Sequence, residues 1–345
     1  MKIDIDWILN SDTHLNFEAG IACILKCGGC MMRHDLKSTS MGWPNRYNIR
    51  LESYKVIFDT FKNYDFCGNL SDPIYHPDFV ETLKYMRGKD IKINFHTNGS
   101  GKKPAWWEEV FKLCEGERWT WIFALDGLPE DSHKYRINQK GEQVWEMMQL
   151  GKSLGADIAW QYIVFKYNQY DIDHAKLLAD QYDITFMEMH STRWVDDTMN
   201  GGVDMSVYKP EEEHHTQPRR VLNDIDIVTL NDPSPMKIEI DPDCLNTELR
   251  KPIMFNSMGY FIPCCEKDQW VEALTKRGFY QDRFHIDNLK TPEDIRNVFL
   301  SDVWQDFYTG LYTDPENAPR NCKTFCMKNT NIKDGGKGKD PKGFV

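Results

Sequence analysis

Cys23-Ile24-Leu25-Lys26-Cys27-Gly28-Gly29-Cys30 spaces three thiols as CxxxCxxC, directly after the first β-rich run of the chain, FEAGIA. Three thiolates on one tight loop each reach a different iron of a cubane and leave the fourth iron open. An open metal position marks a catalytic site, by the logic that separates catalytic from structural zinc. A zinc site or three buried core thiols is the competing reading, although zinc modules use paired CxxC or Cys/His spacing.

Outward from that loop, β-rich runs alternate with helical patterns from about residue 15 to 190: FEAGIA, NYDFCG, IKINFHT, WTWIFAL, IAWQYIVF and ITFMEMH. Leu51, Tyr54, Ile57, Phe58 and Phe61 recur at helical spacing, as do Phe79, Leu83 and Met86, and Trp107, Val110, Phe111 and Cys114. Val144, Met147, Leu150 and Leu154, then Ile172, Ala175, Leu178 and Tyr182, mark two more helices. The fold class is α/β. Six βα units make a partial (β/α)6 TIM-like barrel, with its chemistry at the C-terminal ends of the strands.

The expected domains are a barrel at 1–194, a linker or capping loop at 195–236, a small α+β module at 237–330 and a flexible tail at 331–345. The linker is rich in Asp, Asn, Gly, Pro and His, and its EEEHH stretch lacks ligand spacing on one helix face, so it reads as a solvated charge run. In the small module, IMFNSMGYFIPC predicts a hairpin. A helix follows, with Thr291 as its cap, Pro292 at its first position and Asp294 closing a capping box.

The chain of 345 residues is 41% apolar, 13% aromatic and 28% charged, the balance of a globular protein. Its 42 Lys and Arg against 53 Asp and Glu give a net charge of -11, which disfavours nucleic acid as a partner. No apolar run approaches the roughly 20 residues of a membrane span, and the acidic N-terminus is unlike a signal peptide, so a cytoplasmic protein is expected. In a reducing compartment, ten cysteines read as metal ligands or core thiols before they read as disulfides.

The CxxxCxxC loop after the first strand resembles that of the radical S-adenosylmethionine superfamily, whose members place it in a partial (β/α)6 barrel. Gly29 stands where family members usually have an aromatic residue. The segment Cys67-Gly68-Asn69-Leu70-Ser71-Asp72-Pro73 resembles the family's GGEP segment, with Ser71 in place of a glycine and Asp72 in place of the glutamate. The resemblance implies that this segment grips the amino group of the cofactor methionine, which makes Asn69, Ser71 and Asp72 candidate contacts; a cap of the next helix is the lesser reading of Asp72.

His96-Thr97-Asn98-Gly99 resembles the family's TNG strand end, and Ala124-Leu125-Asp126-Gly127 through Arg136 resembles its Ser-Ile-Asp-Gly stretch, with Ala124 in place of the serine. Asn98, Asp126 and Arg136 are thereby candidate cofactor contacts. Asn-Gly also reads as a turn, and Arg136 as an ion-pair residue. On ITFMEMH, Glu188 and His190 share one face and Met187 and Met189 the other. If the polar pair lines the lumen it is available to position substrate or accept a proton; a structural pair is the alternative.

A second cysteine set comprises Cys244, Cys264 in a Gly259-x4-Cys264 spacing, Cys322 and Cys326. It resembles the Twitch or SPASM extension of the superfamily. With no cysteine beyond Cys326, one auxiliary [4Fe-4S] cluster is expected, against a four-thiolate zinc site. Cys67, Cys114 and Cys265 receive no duty.

The resemblance implies a [4Fe-4S] cluster on Cys23, Cys27 and Cys30 that cleaves S-adenosylmethionine, with hydrogen abstraction from a small molecule or peptide side chain and net oxidation. It also implies a low-potential electron donor such as flavodoxin or ferredoxin. A non-catalytic iron-sulfur electron carrier, an epimerase or isomerase, and a zinc-binding interaction module are the alternatives. Only 22 residues precede Cys23, which is too short for a leader-recognition domain and keeps a small-molecule substrate in play.

Overall fold

Arg118–Ala124 forms strand β4 and shows how this sequence makes the two sides of a sheet. With period two, Trp119, Trp121 and Phe123 point one way and are buried against helices, while Thr120, Ile122 and Ala124 point the other. The computed structural model describes residues 13–30, 47–68, 70–191, 194, 203–211, 239–240, 253–264, 271–319, 322–323 and 326.

The other strands are β1 (His14–Phe17), β2 (Asn63–Phe66), β3 (Lys92–Thr97), β5 (Asp157–Val164), β6 (Thr185–His190), β7 (Ile253–Phe255) and β8 (Phe261–Ile262). They form one sheet in the order β6-β5-β4-β3-β2-β1-β7-β8, parallel throughout except for the antiparallel β7–β8 pair. The sheet is therefore the expected α/β arrangement of six sequential parallel strands, plus two more at its β1 edge.

The connections carry α1 (Leu51–Tyr54), which runs into a 3-10 turn at Lys55–Asp59, then α2 (Phe79–Met86), α3 (Pro104–Leu113), α4 (Gly141–Ser153) and α5 (Ile172–Gln181). Their apolar faces meet one face of the sheet through aromatic pairs. Phe79 lies 5.7 Å from Phe95, Trp107 5.3 Å from Trp121 and Trp145 5.1 Å from Trp160. Such rings bury large area and add roughly 0.5–1.5 kcal/mol per pair beyond it.

Two sequence expectations are corrected. The first strand is His14–Phe17 rather than FEAGIA, because the backbone after Phe17 finds partners outside the ladder: Ile49 N–H donates to Ala19 O at 2.9 Å and Asp72 N–H to Ala22 O at 3.0 Å. The hairpin is present, but it continues the barrel sheet: Leu15, Asn16 and Phe17 pair with Ile253, Met254 and Phe255. Phe17 stacks on Phe255 at 5.4 Å, and Phe61 meets both Phe261 and Phe299 at 6.1 Å, so one apolar core runs from the barrel into the C-terminal residues. The hairpin covers the β1 edge, which would otherwise present unpaired backbone groups.

Beyond the hairpin lie α6 (Val271–Lys276), α7 (Pro292–Phe299) and α8 (Asp302–Thr313). Thr291 caps α7 with the reciprocal Asp294 bond and Pro292 in the first turn, as its sequence predicts. No helix among the described residues is long and apolar enough to cross a membrane. Of the expected linker, only 203–211 is described, and the expected tail lies outside the described residues.

Candidate functional site

Parallel strands end together, so the loops after β1, β2, β3 and β4 gather at one rim of the sheet. Asn98, just past β3, ties three of them. Its Nδ2 donates to Asp72 Oδ2 at 2.5 Å and to Cys23 Sγ at 3.5 Å. Asp72 is buried and also accepts from Asn98 N–H at 2.6 Å, from Thr97 Oγ1 at 2.9 Å and from Ile74 N–H at 3.2 Å. The last bond makes it the cap of the 3-10 turn Pro73–Tyr75, so the capping reading of Asp72 is realised, within a network that touches the cysteine loop. Burial pushes its carboxyl up to about 6 despite these donors.

Ser71 Oγ donates to the buried Glu18 carboxylate at 3.0 Å, and Leu70 N–H does so at 2.7 Å. A cavity lined by Glu18, Ala22, Ser71, Asp72 and His76 lies beside this junction. Asn69 lies outside the described residues.

The loop after β4 approaches from the other side. Arg136 Nε pairs with Asp126 Oδ2 at 2.7 Å, and Asp126 Oδ1 accepts from Ile163 N–H at 2.8 Å. The ion-pair reading of Arg136 is realised, and its positive charge also favours the Cys27 thiolate. Lys26 N–H donates to Ile137 O at 3.0 Å, which seats the cysteine loop on this segment.

Sequence reasoning missed three residues of the site. Gln139 is buried; its Nε2 donates to Asn98 O at 2.7 Å and to Ala124 O at 3.0 Å, while Ser132 Oγ bonds its Oε1. Tyr135 Oη lies against the Gly29 backbone. A Cβ on Gly29 would stand 3.0 Å from Met205 Sδ and 3.2 Å from Tyr135 Oη. The place where the family carries an aromatic residue is thus filled from elsewhere in this chain. Met205 belongs to the expected linker, and nothing in the run from Val203 to Tyr208 around it signals contact with the cysteine loop.

Burial raises the Cys23 thiol to about 12 and the Cys27 thiol to about 11, with Cys27 and Cys30 adding to the first and Cys30 to the second. Among the described residues, no three His, Cys, Asp or Glu side chains are drawn together around a single ion. A cubane takes one thiolate per iron, so it asks for three thiols on one loop rather than for convergence on a point. The donor set of Cys23, Cys27 and Cys30, with an amide N–H on one sulfur and a guanidinium facing another, fits such a group.

Glu188 and His190 do share a face, but it is the helix side: they pair in register with Tyr162 and Val164, and Glu188 Oε2 lies 2.7 Å from Lys176 Nζ of α5. His190 Nε2 bonds Glu188 Oε1 at 2.9 Å. This corrects the catalytic expectation for the pair. Met187 and Met189 face the lumen instead, because the aromatic pairing of Phe186 with Trp160 at 5.4 Å fixes the strand's orientation.

Cys264 follows β8, and Cys326 N–H donates to Cys322 O at 2.9 Å, which sets those two one helical turn apart. Cys244 and Cys265 lie outside the described residues. Cys114 is a core thiol that accepts from Trp121 Nε1 at 3.2 Å.

No protein-family model matches this chain, and no curated protein matches it by sequence. Solved structures do match in fold. SuiB of Streptococcus suis bound to S-adenosylmethionine is 13% identical, with a TM-score of 0.54 over 85% of this chain and 66% of that chain. SuiB bound to the precursor peptide SuiA gives 14% identity and 0.54 over 85% and 66%. Native anSMEcpe with bound AdoMet is 14% identical, with a TM-score of 0.50 over 91% of this chain and 88% of that one. The chain spans just under two thirds of the length of SuiB. At these identities the likeness is one of fold, and it agrees with the expected partial barrel.

Proposed function

We propose that this chain is a radical S-adenosylmethionine enzyme that modifies a small molecule or a peptide side chain, with net oxidation as the outcome. The observation that supports this most is the Asn98 amide, which bonds the Cys23 sulfur and the Asp72 carboxylate together at the strand rim. The match in fold to structures holding S-adenosylmethionine or AdoMet adds weight, and the peptide bound to SuiB favours a peptide among the substrates considered. Fold alone does not carry function; the residues of the site do.

Cys23, Cys27 and Cys30 would hold a [4Fe-4S] cluster. The chemistry a bound cluster supplies is one-electron cleavage of S-adenosylmethionine into the radical that takes a substrate hydrogen. The chain's own part is electrostatic and positional. Asn98 donates to one sulfur, Arg136 offsets the charge of a second, and Gln139 holds the ends of β3 and β4 in place beneath them. Asn69, Ser71, Asp72, Asn98, Asp126 and Arg136 are the residues we assign to the S-adenosylmethionine side of the site. Cys244, Cys264, Cys322 and Cys326 are those we assign to an auxiliary cluster, and a low-potential flavodoxin or ferredoxin is the proposed donor.

The test is anaerobic reconstitution with iron and sulfide, reduction, and measurement of 5'-deoxyadenosine from S-adenosylmethionine. Formation by the wild type and its loss in Cys27→Ala is the expected result. No 5'-deoxyadenosine from a fully iron-loaded wild type overturns the reading.

A further inference from the structure

The concave face of the sheet has two unlike halves. On β1 to β3 it presents His14, Asn16, Asp65, Asn94 and His96; on β4 to β6 it presents chiefly Ile122, Ala159, Ile163, Met187 and Met189. The opposite parity on every one of these strands supplies the helix-side core. Asp65, His96, Ile163, Met187 and Met189 are only half-buried, so this face is not a closed core.

Most of the polar half is satisfied internally. His14 Nδ1 lies 3.4 Å from Asp65 Oδ2, Asn94 Nδ2 donates to Asp65 Oδ1 at 2.8 Å, and His96 stands close enough to Asp65 and Gln161 for both to favour its charged form. Asn16 is different. Its flanking residues Leu15 and Phe17 lie in the helix-side core, so its amide points into the concave face. It is 7% exposed and pairs in register with Asp65, yet its Oδ1 has no hydrogen-bond partner. Buried acceptors in that state are few in native proteins, because each forfeits a hydrogen bond that water would give.

The chemistry that would satisfy this wall can be read from it. Asn16 Oδ1 is an acceptor, and the Asp65 carboxylate keeps lone pairs beyond the two contacts it makes. Beside the histidines His14 and His96, which flank Asp65, the basic residues of this parity on the described strands are Lys92 and Arg118, and these sit at the opposite, N-terminal ends. The complementary group therefore donates hydrogen bonds and is not an anion, and the apolar half opposite suits an aliphatic chain that carries it.

We propose that Asn16 and Asp65 form the polar end of a substrate subsite that takes an aliphatic group ending in a hydrogen-bond donor, an ammonium or an amide, and rejects a carboxylate. The proposal rests on the radical-enzyme reading only in calling the ligand a substrate. Binding at this wall is independent of that chemistry.

The test is saturation-transfer NMR on the full chain with three probes of one carbon skeleton: n-butylammonium, butyramide and butyrate. Butylammonium and butyramide are expected to receive saturation and to displace each other, and butyrate to receive none. Butyramide, which is uncharged, separates this wall from attraction to the chain's net negative surface. Asn16→Leu should weaken both binders at least tenfold and leave the unfolding midpoint equal or higher, since the orphaned acceptor is gone. Asn16→Asp, of the same shape, should keep butylammonium and still reject butyrate, and it decides the matter if the leucine variant folds poorly. Butyrate binding as well as butylammonium, undiminished binding in Asn16→Leu, or loss of butylammonium in a folded Asn16→Asp each overturns the proposal. Absence of 5'-deoxyadenosine formation by the wild type would sink the radical reading and leave these binding results standing.

Discussion

Arg136 and Asp126 form an ion pair with side chains 13% and 0% exposed, and the guanidinium also faces Cys27. Removing one partner of a buried pair leaves an uncompensated charge and costs about 3–5 kcal/mol. Arg136→Met should lower unfolding free energy by that order in urea titrations. A loss under about 1 kcal/mol would show that the pair is not a structural strut of the rim.

Asp72 gives the site a pH signature. Its folded carboxyl, raised to about 6 by burial, lies above the ordinary value of about 3.9. The folded state then binds the proton more tightly than the unfolded one, so this contribution to stability is complete below about pH 4 and is lost as pH rises through about 6. Asp72→Asn, neutral throughout, should flatten the stability profile of the apoprotein in that window by on the order of 2 kcal/mol. An unchanged slope would place the titration elsewhere.

Gly29 leaves no space for the aromatic residue its position suggests. Gly29→Phe should destabilise by about 1–3 kcal/mol, since the first carbon added already meets Met205 Sδ at 3.0 Å. Met205→Ala should recover part of that loss. A double-mutant cycle with no coupling would mean that the two do not share this space.

If both cysteine sets hold cubanes, the reconstituted wild type should carry about eight irons per chain, four per cluster. Cys27→Ala and Cys264→Ala should each lose about four, and by different spectroscopic signals. Zinc in the Cys264→Ala-sensitive fraction of anaerobically purified protein would reassign the second set.

Gly99 carries φ +70, and a Cβ there would stand 2.8 Å from both Phe123 and Val144. Gly99→Ala should therefore lower the thermal midpoint by several degrees, as strain and overpacking of about 1–3 kcal/mol would require. A neutral result would mean that the β3 end relaxes freely.

What was legible in the sequence was what strict periods encode. Alternation in WTWIFAL and IKINFHT and the 3.6-residue spacing around Trp107 placed strands, helices and the rim where the motifs lie. The first strand was misplaced because FEAGIA is as extended as a strand, and only distant partners at Ile49 and Asp72 decide that its backbone leaves the ladder. Glu188 and His190 fell on the wrong side for a related reason: period two says which residues share a face but not which face meets α5. Gln139, Tyr135 and Met205 join the site through contacts that no local pattern announces.

The β7–β8 hairpin sets an order of events. The strand that delivers the cysteine loop gets one neighbour, β2, early in synthesis, but its other neighbour, Ile253–Phe255, emerges only near the far end of the fold. Such long-range pairing is slow to form. The loop's supporting strand is thus finished late, after most of the barrel has emerged, and the three cysteines reach their final setting only in a nearly completed protein.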